Sequence, residues 1–111
     1  MLGAIVGDIV GSPYEFTANN IKTTDFPLFG YTSRFTDDTV MTVAVAQGVM
    51  RGYKKPEATR EALVDAMRAY GRMFPLAGYG QKFFLWRRAV KPGPYNSYGN
   101  GSAMRVARVP W

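Results

Sequence analysis

RFTDDTVMT, residues 34–42, sets two adjacent carboxylates between two threonines, and the apolar run Val40, Met41, Val43, Ala44, Val45 and Ala46 follows at once. A hydroxyl residue directly before an apolar periodic segment is a helix start. The stretch therefore predicts a helix over 37–52, with Thr36 as N-cap and Gly52 near its end. Acids in the first turn suit the helix dipole by roughly 0.3–1 kcal/mol each. Adjacent carboxylates also repel, however, and Thr36, Asp37 and Asp38 together make a compact set of hard oxygen donors for one cation.

The same helical reading extends in both directions. Residues 3–11 predict a helix with Gly3, Gly7 and Gly11 four apart, a stripe that needs tertiary packing because each glycine lowers helix propensity by roughly 1 kcal/mol. Ser12-Pro13-Tyr14-Glu15 predicts a restart, with Ser12 as N-cap and Glu15 as the capping-box acid. Residues 18–35 read as a long loop, and loops of that length are often functional. Another helix is expected over 56–73, its buried face supplied by Ala58, Ala62, Leu63, Ala66, Met67, Ala69 and Tyr70. A fourth is expected over 79–90, and a short one opens near Ser102. No segment alternates as a strand does, so the fold class is all-α.

Composition narrows the chemistry. The 111 residues suit one small domain, here 1–111. The chain has no Cys and no His, which removes thiolate and imidazole ligands and the commonest general base. A metal would be held by oxygen, which favours Mg²⁺, Ca²⁺ or Mn²⁺. The start lacks a basic n-region and carries Asp8 inside its apolar stretch, and no apolar run reaches membrane-span length; a soluble, cytoplasmic protein is expected. Residues 1–50 hold two basic side chains against five acidic ones, and residues 51–111 hold twelve against three. A basic half suits an anionic partner or a solvated surface. Nucleic acid is disfavoured, because the charge is not interleaved with aromatics in a reader motif.

Two glycine pairs precede predicted helices, in AGYGQ (77–81) and YGNGSAMR (98–105). Glycine lets the backbone approach a phosphate, and a helix start offers free N–H groups; plain turns use the same pattern. Arg105 stands ready to neutralise an anion or to face solvent. Asp8, on an apolar helix, requires a partner.

GAIVGDIVGSPYEF (3–16), FTDDTVMT (35–42), GYG (78–80) and GNGSAMRVA (99–107), in that order, resemble the ADP-ribosylglycohydrolase family. The resemblance implies an all-α domain with a two-Mg²⁺ centre, Mn²⁺ being the alternative, and a substrate in which ADP-ribose is attached to a protein side chain or a small acceptor. It assigns Thr36, Asp37 and Asp38 to the metal, with Asp37 or Asp38 also orienting or deprotonating water, and Glu15 as an acid near that water. Gly78, Tyr79, Gly80, Asn100, Gly101, Ser102, Met104 and Arg105 fall in the loops that embrace ADP-ribose. Family members are longer, and their second ligand group, an Asp-x-Asp-Thr block, has no counterpart here; the chain corresponds to their N-terminal part. Two expectations follow. The chain self-associates or is completed by a C-terminal part, with the helix around Phe83–Trp86 and Val106–Trp111 as uncovered apolar surfaces. A non-catalytic remnant that binds ADP-ribose or another anion is the alternative to a hydrolase.

Overall fold

A computed structural model of the chain describes residues 1–108, with Thr17, Ala107 and Arg108 described by backbone alone. Among the described residues there are helices and no strands. The elements are α1 (Leu2–Gly11), 3₁₀ turns at Ser12–Tyr14 and Thr17–Asn19, α2 (Asp37–Gly52), α3 (Pro56–Met73), α4 (Gln81–Trp86) and a 3₁₀ segment at Ala103–Arg108. The chain is all-α, as its pattern predicts. None of these helices is long and apolar enough to cross a membrane.

The centre is the α2–α3 pair. Val40, Met41, Ala44 and Val45 of α2, Ala66 of α3 and Phe83 of α4 are buried, and Met67, Tyr70, Phe74, Trp86 and Met104 pack around them. Two glycines of α2 set the spacing. A Cβ at Gly48 would lie 2.7 Å from the Leu63 Cα, and one at Gly52 would lie 2.6 Å from the Thr59 Cα. Only glycine permits backbones this close. Thr59 then donates its hydroxyl to the Gly52 carbonyl at 3.1 Å, which satisfies part of the helix end. On α3, Ala58, Ala62, Leu63, Met67 and Tyr70 are half-buried as expected, but Ala69 is exposed. The apolar stripe is narrower than the alanine spacing suggests.

α1 behaves differently. None of its residues is buried, and no described atom lies within 4 Å of a Cβ placed at Gly3, Gly7 or Gly11. The radius of gyration, 15.2 Å, exceeds the roughly 13 Å of a compact chain of this length, consistent with a helix that is attached rather than embedded.

Two local expectations are corrected. Ser12 is not an N-cap: its backbone is helical (φ −54°, ψ −35°) and carries α1 on into the 3₁₀ turn. Its hydroxyl donates to the Ile9 carbonyl and accepts the Arg34 N–H, both at 3.0 Å. Without that cap there is no capping box, and Glu15 is exposed. α4 is also shorter than 79–90. Gly80 is still extended (ψ 145°), so the helix starts at Gln81. At the other end Arg68 of α3 donates to the carbonyls of Arg87 and Ala89, closing the helix before Pro92 and Pro94, which cannot continue it.

The aromatic helix buries one of its three rings and half-buries the other two. Phe83 is buried, stacked on Trp86 and tilted against Tyr79, while Leu85 is 63% exposed. The uncovered surface expected at Phe83–Trp86 is thus largely Leu85. Of the terminal surface, Val106 is exposed, and Val109, Pro110 and Trp111 lie outside the described residues.

Candidate functional site

Thr36 caps α2, as its position before the apolar run predicts. Its backbone is extended, and its Oγ accepts the Asp38 N–H at 3.3 Å. The other donors of the first turn are also taken. Asp37 N–H reaches the Ala77 carbonyl at 2.7 Å, Thr39 N–H reaches Asp8 Oδ2 at 3.1 Å, and Val40 N–H reaches the Thr36 carbonyl at 3.2 Å. With every first-turn N–H satisfied, this helix start is not an anion site. It presents carboxylates instead.

Those carboxylates face a cleft of about 400 Å³. Glu15, Asp37 and Asp38 line it together with Gly78, Gly80, Asn100, Gly101, Met104 and Arg105. Segments up to about ninety residues apart in sequence therefore meet in one place, as the motifs require. Gly78 is needed for its backbone: a φ of +101° strains any residue with a Cβ, although a Cβ there would make only ordinary contact, 3.6 Å, with an Asp37 carboxylate oxygen. Gly101 lets Met104 and Arg105 fold back over their own loop, 3.3 Å and 3.5 Å from the place of a Cβ.

Three predicted residues do not line this cleft. Thr36 is itself buried, and one lone pair of its hydroxyl takes the Asp38 N–H of the cap. Tyr79 points into the core, where Phe83 and the Arg87 guanidinium flank its ring. Burial pushes its phenol up to about 12, with Arg87 opposing and Asp37 adding to the shift, so it stays neutral. Ser102 is exposed on a neighbouring groove beside Trp86 and Tyr95.

The electrostatics of the corner are uncompensated. Asp37 is raised to about 6, first by burial, then by Asp38, with Glu15 and Asp8 adding to it and a backbone hydrogen bond opposing. Asp38 is raised by burial and by Asp8. Each side chain whose charge bears on Asp37 is another carboxylate. A cation would relieve that repulsion, and two carboxylates with a hydroxyl are hard donors of the right kind. The set is partial: among the described residues no three acidic side chains converge as metal ligands. Lys82 and Arg105 line the same cleft as the acids. Lys82 is held by the Asn96 carbonyl at 2.7 Å and lies over the Tyr98 ring, and Arg105 lies over the Phe83 ring.

Two contributions were not assigned from sequence. Asp8 accepts three hydrogen bonds from the residues around the carboxylates, and its position in an apolar stretch was the only signal. Lys82, Tyr95 and Tyr98 line the cleft without any motif of their own. Part of the basic half is not available to an anion: Arg87 is buried, donates to the Gly71 carbonyl and lies against Phe84.

The sequence profile of the ADP-ribosylglycohydrolase family matches residues 1–111, the whole chain. The chain belongs to that family. It is 30% identical over 132 aligned residues to ADP-ribosylhydrolase ARH3 of Xenopus tropicalis, an alignment covering 98% of this chain and 37% of the relative. The chain thus spans little more than a third of the length of that relative. No solved structure matches it.

Proposed function

We propose that the protein serves a metal-dependent hydrolase that cleaves the glycosidic bond between ADP-ribose and a protein side chain or small acceptor. The observation that supports this best is the shared cleft: an uncompensated acidic corner lines it together with two glycine loops and two cationic side chains. A ligand with an anionic diphosphate and a reacting sugar needs both halves.

Thr36, Asp37 and Asp38 would hold Mg²⁺ or Mn²⁺. When bound, the ion supplies Lewis-acid polarisation of the sugar and of water. The residues themselves do the rest. Gly78 and Gly80 leave room for close backbone approach, and Lys82 and Arg105 neutralise the diphosphate. Asp37, half-buried, is the group to accept a proton from an attacking water, and Glu15 supplies a second carboxylate at the edge of the same cleft.

Calorimetric titration with Mg²⁺ and then ADP-ribose tests the reading. Wild type is expected to bind both, Asp37→Asn with Asp38→Asn to lose Mg²⁺, and Gly101→Val to weaken ADP-ribose binding while remaining folded. Identical Mg²⁺ titrations for wild type and double variant would leave the acids as helix-dipole partners only. A second reading, a non-catalytic ADP-ribose binder, is favoured by the partial ligand set. ADP-ribose binding without turnover of an ADP-ribosylated peptide would select it.

A further inference from the structure

Asp8 lies on α1, a helix with no buried residue, yet its carboxylate is the most heavily engaged in the described structure. Oδ1 accepts the Thr36 hydroxyl at 2.6 Å. Oδ2 accepts the Thr36 N–H at 2.8 Å and the Thr39 N–H at 3.1 Å. These donors flank Asp37 and Asp38 on both sides, so one side chain from a separate helix brackets the pair.

The hydroxyl bond carries the consequence. Thr36 Oγ has one proton and two lone pairs. The proton goes to Asp8, and one lone pair takes the Asp38 N–H. What remains is a lone pair, so Thr36 can act only as an acceptor toward anything further. That is the state a cation requires of a hydroxyl ligand. We propose that Asp8 is a positioning residue of the Thr36-Asp37-Asp38 corner, raising its cation affinity by fixing the direction of the Thr36 hydroxyl. This rests on the reading of that corner as a cation site.

A plain capping role gives a different expectation. Asn caps helices about as well as Asp. In Asp8→Asn the amide oxygen can still take both backbone N–H groups. Its NH₂ then faces Thr36 Oγ as a donor, occupies the lone pair and turns the hydroxyl proton away. A cap tolerates this change, whereas a positioning residue does not. Asp8→Asn also removes a charge, so the test must separate charge from orientation.

The experiment is a double-mutant cycle on the full chain. Mn²⁺ binding is read from the electron paramagnetic resonance signal of the free ion, and folding from the amide spectrum, including Thr36 and Thr39. Asp8→Asn is expected to keep the fold and to weaken Mn²⁺ binding at least about tenfold, the usual loss for a residue that orients a ligand. In a Thr36→Val background the same substitution is expected to cost no more than about threefold, because no hydroxyl is left to turn. Wild-type affinity in Asp8→Asn overturns the proposal and leaves the cation site standing. An equal loss in both backgrounds overturns it in favour of charge alone. Absence of Mn²⁺ binding to wild type at millimolar concentration removes the cation site, and the proposal with it. Should Asp8→Asn not fold, Thr36→Val decides. That variant keeps Asp8 and both backbone donors, and must bind Mn²⁺ more weakly than wild type, with Thr36→Ser restoring the affinity; wild-type binding by Thr36→Val overturns the proposal.

Discussion

α1 and α2 both carry glycines four residues apart on an apolar helix, and the fold uses them in opposite ways. In α2, Gly48 and Gly52 lie against the backbone of α3, and the helix also buries Val40, Met41, Thr42, Ala44 and Val45. In α1, Gly3, Gly7 and Gly11 face open space, and Leu2 and Val6 are exposed. α1 only half-buries Ile5, Ile9 and Val10, and it is tied to α2 by polar bonds, Asp8 to Thr36 and Thr39, with Ser12 accepting the Arg34 N–H just beyond its end. Apolar content therefore does not decide burial in this chain. What decides it is whether a partner helix stands opposite, as α3 does for α2.

The largest expected effect comes from breaking the α2 side of this contrast. Gly48→Ala puts a Cβ 2.7 Å from the Leu63 Cα, a clash with backbone that no rotamer can relieve. Overpacking of this kind costs about 1–3 kcal/mol or more, against the ~1 kcal/mol that alanine gains over glycine in a helix. A net loss of up to about 2 kcal/mol should appear as a lower urea midpoint. An unchanged or higher midpoint would show that α2 and α3 are not in backbone contact.

The next effect reads the charged end of α2. Its packing leaves Asp37 half-buried among acids, with a folded pKa of about 6 against 3.8 for the free group. The native state then holds a proton more tightly than the unfolded chain, so stability falls as pH rises from about 4 through about 6. After discounting for solvent screening, the fall is on the order of 1 kcal/mol. Asp38 acts in the same direction. Thermal midpoints measured without divalent ions should drop across that window. Asp37→Asn should flatten the slope, and Mg²⁺ should do the same if the corner holds a cation. A midpoint that rises over this range would mean that a counter-charge reaches Asp37 in solution.

Much of this contrast could be read in advance on one side only. The α2 boundaries were legible because Thr36, the first-turn acids and the apolar run agree with one another, and local agreement of this kind is hard to override. The meeting of Asp37, Gly78 and Gly101 at one cleft was legible through motif order, not through any local pattern. The failures have different causes. Ser12 fits a capping rule, but its backbone stays helical and the Arg34 N–H takes its hydroxyl, which leaves Glu15 without a box to close; Ala69 fits the alanine spacing but stays exposed. Asp8 was recognisable as a carboxylate needing a partner, and no spacing rule points across twenty-eight residues to Thr36. The Gly48–Gly52 pair is not legible in sequence, because a packing glycine differs from an open one only in what stands opposite.

The smallest expected effect tests the open side. Gly7→Ala adds a methyl that meets no described atom and replaces glycine in a helix interior. Nothing offsets the gain in helix propensity, about 0.5–1 kcal/mol. The sign is therefore opposite to that of Gly48→Ala, for the same chemical change at the same four-residue spacing. Because α1 has ten residues and no buried one, it can open without the rest, and the gain should appear first as slower amide exchange within α1. A shift in global midpoint would follow only to the extent that the Asp8 bonds couple α1 to α2. Faster exchange in Gly7→Ala would carry a different meaning. It would show that another surface lies on the stripe in solution. Dependence of that exchange on protein concentration would identify the surface as a second copy of the chain, and the glycines of α1 would then be packing residues like those of α2.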